Sequence, residues 1–208
     1  MSRKRLFICL LLCFVPAGCS FLEPQPDPTR YFALTSLPRA SERQQNAADN
    51  QALALGIGPV KLPGYLDRPQ VVTRISQNRF AVAENDRWAE PLEENFSRVL
   101  AQNLSILLQT DRIVTYPWER NQRPTYQVQV EVLRFEPNAG QRVELWARWT
   151  VSDNTKKIVT VRESHLSGRA KDRSTEAAVA ALSEVACDLS KEIGAALRVL
   201  ISGQGRQG

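Results

Sequence analysis

One histidine and four cysteines are the side chains in this sequence most able to do chemistry. His165 sits towards the end of the segment KKIVTVRESHLSG. A lone imidazole can act as a general base, but only with a proton to take within hydrogen-bond reach. No serine or cysteine stands in a nucleophile-elbow pattern, so His165 reads first as a residue at a strand edge. Metal sites need clustered His, Cys or carboxylate ligands. No such spacing occurs, and no metal or other cofactor is expected. Glu90, Glu93 and Glu94 lie close together, but just ahead of an apolar periodic run, where carboxylates suit the positive end of a helix. Catalytic groups assemble in space, so a small hydrolase built on His165 stays open as a second reading.

Cys19 has a more specific setting. The chain opens with Arg3-Lys4-Arg5, followed by the uncharged stretch LFICLLLCFVPAG. That stretch is short of the roughly 20 apolar residues a membrane-spanning helix needs. A basic start, a short apolar middle and a small-residue end form an export signal. Ala17-Gly18-Cys19 resembles the lipobox of bacterial lipoproteins, although Pro16 stands where leucine is usual. The resemblance implies cleavage before Cys19 and acylation of it. Ser20, rather than an aspartate, implies sorting to the outer membrane. Cys9 and Cys13 would leave with the signal, and Cys187 would then have no intramolecular partner. A disulfide framework is excluded. Cys187 lies in AALSEVACDLSKEIG, whose apolar spacing is helical, and reads as a buried, inert thiol.

Removal of residues 1–18 leaves a chain of ordinary domain size. The net charge of +5 shrinks as well, because three basic residues go with the signal, leaving 24 basic against 22 acidic. Charge therefore gives no support to a nucleic-acid partner. Residues 19–29, with three prolines among polar residues, read as a lipidated tether. A single α+β domain is expected over 30–203, followed by a disordered tail at 204–208.

The elements are read from periodicity. RYFALTSL is a first strand. PRASERQQNAADNQ is a solvated loop. ALALGIGPV begins as an apolar strand that breaks at Gly58-Pro59; the Gly-Ile-Gly is a strand end rather than a phosphate loop. QVVTRI and RFAVAE are short strands. Leu92, Phe96, Val99, Leu100, Asn103 and Leu107 share one face of a helix over about 90–109, with Pro91 as its first residue. RIVTYPWE holds a short strand. TYQVQVEV, RVELWARWTV and KKIVTVRESHLSG alternate apolar and polar residues, as antiparallel strands with one buried face do. Ala178, Leu182, Val185, Leu189, Ile193, Ala196 and Leu200 mark a last helix, with Ser174 as N-cap and Gly203 as stop. The expected fold class is α+β, an antiparallel meander with two main helices packed on one face. Trp146 falls on the wet face of its strand, where an aromatic marks a partner surface unless a loop or the sheet edge covers it.

Taken in order, the lipobox, RYFALTSLP, LGIGPVKLPGYLDRPQVVTRI, ENDRWAEPLEENFSRVLAQNLS and VTYPW resemble the PqiC family, the paraquat-inducible lipoproteins also described as ABC-type transport auxiliary lipoprotein components. The resemblance implies no catalysis and a role in envelope lipid transport. The partner it implies is a PqiB-like protein of mammalian-cell-entry (MCE) domains, forming a tunnel from an inner-membrane PqiA. It further implies an outer-membrane lipoprotein on the periplasmic face and a homo-oligomeric ring docked on that tunnel; the identity of the lipid stays open, with phospholipid as one candidate partner. The loop KLPGYLDRPQ is the expected tunnel contact, through Leu62, Tyr65 and Leu66; packing of that loop on its own domain is the alternative. A structural lipoprotein that leaves lipid flow alone is a third reading.

Overall fold

The computed structural model describes residues 26–39, 53–119 and 121–204. The export signal, Cys19, most of the tether, the loop after Pro38 and the last four residues lie outside them. The elements are β1 (Arg30–Phe32), β2 (Leu55–Lys61), a 3-10 turn (Gly64–Leu66), β3 (Gln70–Ser76), β4 (Arg79–Trp88), α1 (Leu92–Leu108), β5 (Ile113–Thr115), β6 (Tyr126–Pro137), β7 (Arg142–Asp153), β8 (Ile158–Arg169) and α2 (Thr175–Gln204).

The fold is α+β. The three long strands β6, β7 and β8 form the expected antiparallel meander. Their alternation decides which face is buried: Val128, Val130, Ala147 and Trp149 are at most 2% exposed, while the residues between them face water. The meander is not the whole sheet. β2 adds parallel to β6, and β5 adds parallel to β2, giving the order β5-β2-β6-β7-β8. A second, three-stranded sheet has the order β1-β4-β3, with β1 parallel to β4. It meets the large sheet where Arg74 bridges to Asn138.

Helices α1 and α2 cover the inner face through Phe96, Leu100, Leu104, Leu182, Leu189 and Ile193, all within 2% of full burial. They run side by side in the same direction. Asn103 meets Ser190, and one turn further on Leu107 meets Gly194 and Arg198. Glu93 and Glu94 occupy the first turn of α1, as the dipole favours. Ser174 caps α2, its Oγ accepting from the amide of Ala177 at 3.1 Å.

Several boundaries differ from the sequence reading. The first strand stops at Phe32. Residues 33–38 lie instead across both helices, because buried side chains capture their amides. Leu34 N donates to Asn95 Oδ1 at 2.7 Å, Thr35 N to Ser183 Oγ at 3.1 Å, and Leu37 N to Asn103 Oδ1 at 2.8 Å. β2 continues through Gly58-Pro59 with a register shift, since Gly58 can adopt φ +108 and its carbonyl is taken by Gln127 Nε2 at 2.8 Å. β4 runs on through Asn85-Asp86-Arg87-Trp88 because β1 and β3 supply it with partners. Pro91 caps α1 from outside, its ψ of 129 being extended. Gly203 lies within the final turn of α2 rather than ending it.

Candidate functional site

The outer face of the large sheet carries the residues that could meet a partner, and a β-bulge aims them there. Val132 pairs with Ala147, but Arg134 pairs with Trp146, so Leu133 is an extra residue in β6. The insertion reverses the alternation beyond it. Phe135 turns inward, 1% exposed, and meets Phe96 edge-to-face at 5.1 Å. Arg134 and Glu136 turn outward.

Glu136 is the hub of this face. Its carboxylate is fully buried and receives four donors. Tyr65 Oη donates at 2.6 Å, Arg74 Nε at 2.6 Å, Arg134 Nε at 3.2 Å and the amide of Phe135 at 3.0 Å. Charge-assisted bonds of this number compensate for desolvating a carboxylate. Burial, reinforced by the bond to Glu136, raises the Tyr65 phenol above its ordinary range. Tyr65 stacks on Phe80 at 4.6 Å, and the Arg74 guanidinium lies 4.3 Å from the Phe80 ring centroid.

From the hub the network climbs to the surface. Arg134 lies over the Trp146 ring at 4.6 Å and pairs with Glu144 at 2.7 Å. Trp146 stacks on His165 at 4.8 Å and 16°. His165 Nε2 lies 2.9 Å from Glu163 Oε1, and Glu163 also meets Arg148. The bond from His165, then that from Arg148, holds the Glu163 carboxyl below its usual range. Exposure rises along this path, from the buried Glu136 to half-exposed Arg148 and His165.

Tyr65 and Trp146, far apart in sequence, are thus joined through Glu136 and Arg134. The other two loop residues behave differently. Leu66 is 3% exposed and belongs to the core, while Leu62 is partly buried against it. The apolar content that suggested a partner contact at Leu66 is spent on its own domain, and the loop offers a partner little of that side chain. Glu136, Arg74 and Arg134 were not singled out from sequence. A glutamate in the segment FEPN carries no sign of burial until the bulge and the loop are both in place.

Among the described residues, the serines that flank His165 are bonded to other partners. Ser164 points to the opposite face, bonded to Trp149 Nε1 at 2.9 Å and to Glu192. Ser167 Oγ accepts from Arg142 at 3.0 Å. Among the described residues no group of three His, Cys, Asp or Glu could hold a metal ion, and no helix is long and apolar enough to cross a membrane. Cys187 is buried in α2, and burial pushes its thiol up.

A protein-family model described as ABC-type transport auxiliary lipoprotein component matches residues 32–194. The intermembrane transport lipoprotein PqiC of Escherichia coli is 32% identical over 92 residues, which is 44% of this chain and 46% of that protein. The Shigella flexneri protein of the same name matches equally. The chain therefore aligns with about half the length of these relatives. A crystal structure described as an uncharacterized protein superposes with a TM-score of 0.67 at 20% identity, covering 81% of this chain and 98% of its own. That of a Xanthomonas campestris protein superposes with a TM-score of 0.66 at 17% identity, covering 86% and 99%. At such identities the likeness is one of fold. With the family model spanning residues 33–38, the strap across the helices, together with both sheets and most of both helices, the chain belongs to the PqiC family of ABC-type transport auxiliary lipoprotein components.

Proposed function

We propose that this protein is the outer-membrane lipoprotein of a PqiABC-like intermembrane lipid transport system. It is acylated on Cys19, faces the periplasm and does no catalysis. It docks the distal end of a periplasm-spanning tunnel of MCE domains, as a homo-oligomeric ring, and so supports passage of phospholipid and membrane integrity. The observation that carries this reading is the family match over residues 32–194, downstream of a cysteine in a lipobox-like setting. The printed name of the Escherichia coli relative, an intermembrane transport lipoprotein, supports the transport role. The outer sheet face supports docking: its aromatic and arginine side chains are the types enriched at protein interfaces, and they are held in place by a buried hub.

The direct test is reconstitution in solution. The chain from residue 20 onward is mixed with a purified PqiB-like MCE protein from the same genome and run on a sizing column. Co-elution that Trp146→Ala weakens supports docking through this face. Co-elution unaffected by Trp146→Ala keeps the partner and moves the contact elsewhere. Separate elution at all concentrations overturns the docking reading.

A further inference from the structure

The structure also bears on how this domain meets the lipid surface. The first strand starts at residue 30, and there the chain is tied to the rest of the domain. Arg30 makes a bidentate pair with Asp86, at 2.7 and 2.8 Å, and Thr175 at the start of α2 bonds the same carboxylate. Phe32 is tied through its carbonyl to the amide of Ala89 at 2.8 Å. Asn95, Ser183 and Asn103 then hold residues 34–37 down.

Strand alternation sets Tyr31 on the face of β1 opposite Arg30 and Phe32. Arg30 and Phe32 pair with the buried Asp86 and Trp88, while Tyr31 pairs with Arg87 on the opposite face. Tyr31 is 64% exposed, a large aromatic residue left open on a paired strand. Asp27 accepts from the amide and the hydroxyl of Thr29, just ahead of the strand, so the chain enters the domain next to Tyr31.

The length outside the structure limits where this end can go. Seven residues lie between Cys19 and Asp27, a reach of at most about 29 Å over eight fully extended steps. The far end of α2 points the other way: Val199 lies 24 residues beyond Thr175, about 36 Å along the helix.

We infer that the tether end of the small sheet is a membrane-contact surface, with Tyr31 seated at the lipid headgroups and the α2 C-terminus directed away from the bilayer. A tyrosine suits that level, with an apolar ring and a polar tip. The inference rests on the acylation of Cys19 proposed above. It goes further by fixing which face of the folded domain lies on lipid.

The test uses the full acylated chain, purified from membranes and placed in vesicles of phosphatidylethanolamine and phosphatidylglycerol. An environment-sensitive fluorophore is attached through Tyr31→Cys, through Thr29→Cys with Tyr31 retained, or through Val199→Cys; Cys187 is buried. Flotation is measured first, then quenching by a headgroup-labelled lipid. Quenching at positions 29 and 31 with none at 199 is expected. Flotation with no quenching at 29 or 31, or with equal quenching at 199, overturns the surface and leaves the anchor standing. Failure to float removes the anchor and the surface together.

Discussion

At the scale of single residues, Glu136 is the most exacting position in the molecule. It is a carboxylate without solvent, balanced by Arg74, Arg134 and Tyr65. Removing one member of a buried ionic cluster leaves the others desolvated, at a cost of about 3–5 kcal/mol. Glu136→Ala is expected to lose stability of that order in a denaturant melt. A loss below about 1 kcal/mol, the value of an exposed pair, would show that the hub is hydrated. Tyr65 gives a second, pH-dependent signature. Burial, and then the bond to Glu136, raise its phenol above the ordinary value near 10. The native state therefore keeps this proton in a range where the unfolded chain has released it. The stabilisation is complete below about pH 10 and is lost as pH rises through the native value. Tyr65→Phe should be less stable at neutral pH and show a shallower fall above pH 10; parallel alkaline slopes would contradict this. Neither residue's role could be read from the sequence. The alternation Val128, Val130, Val132 predicts that positions 134 and 136 point inward, and only the bulge at Leu133 sends them outward.

At the scale of elements, the strap of residues 33–38 is held across both helices by buried side chains. Asn103 is fully buried and bonds in both directions. Its Oδ1 accepts from Leu37, and its Nδ2 donates to Ser190 Oγ at 3.1 Å. Asn103→Ala leaves the Leu37 amide without that partner, a loss of about 1–3 kcal/mol. Hydrogen exchange at Leu37 should quicken strongly while the amides of β7 stay protected. Unchanged exchange at Leu37 would mean that packing of Leu34 and Leu37 holds the strap by itself. The sequence made Asn103 visible as part of the buried helical face, but without its partners. What was legible were elements governed by local periodicity: the meander from its alternation, α1 and α2 from their apolar stripes, and the Ser174 cap. What was not legible were pairings that join distant segments, such as β1 parallel to β4 and β2 between β5 and β6. RYFALTSL has strand propensity throughout, yet the competing side-chain acceptors on two helices take its second half.

At the scale of the whole molecule, folding and anchoring are expected to be separable. Cys19 lies outside the described residues, and Cys19→Ala should melt like the parent while moving from salt-washed membranes to the soluble fraction. A variant that stays with membranes would contradict the lipid tether. Two parallel helices, a sheet with one wet face and a stiff entry strap make a body that can stand on lipid at one end and present the rest to a partner. Docking on a tunnel is tested by a mild crosslink in intact cells, followed by purification of this protein and mass spectrometry of the proteins and lipids that accompany it. Recovery of an MCE-domain protein with phospholipid, in amounts reduced by Trp146→Ala, is expected. Recovery of the lipoprotein crosslinked to no MCE-domain protein would contradict docking.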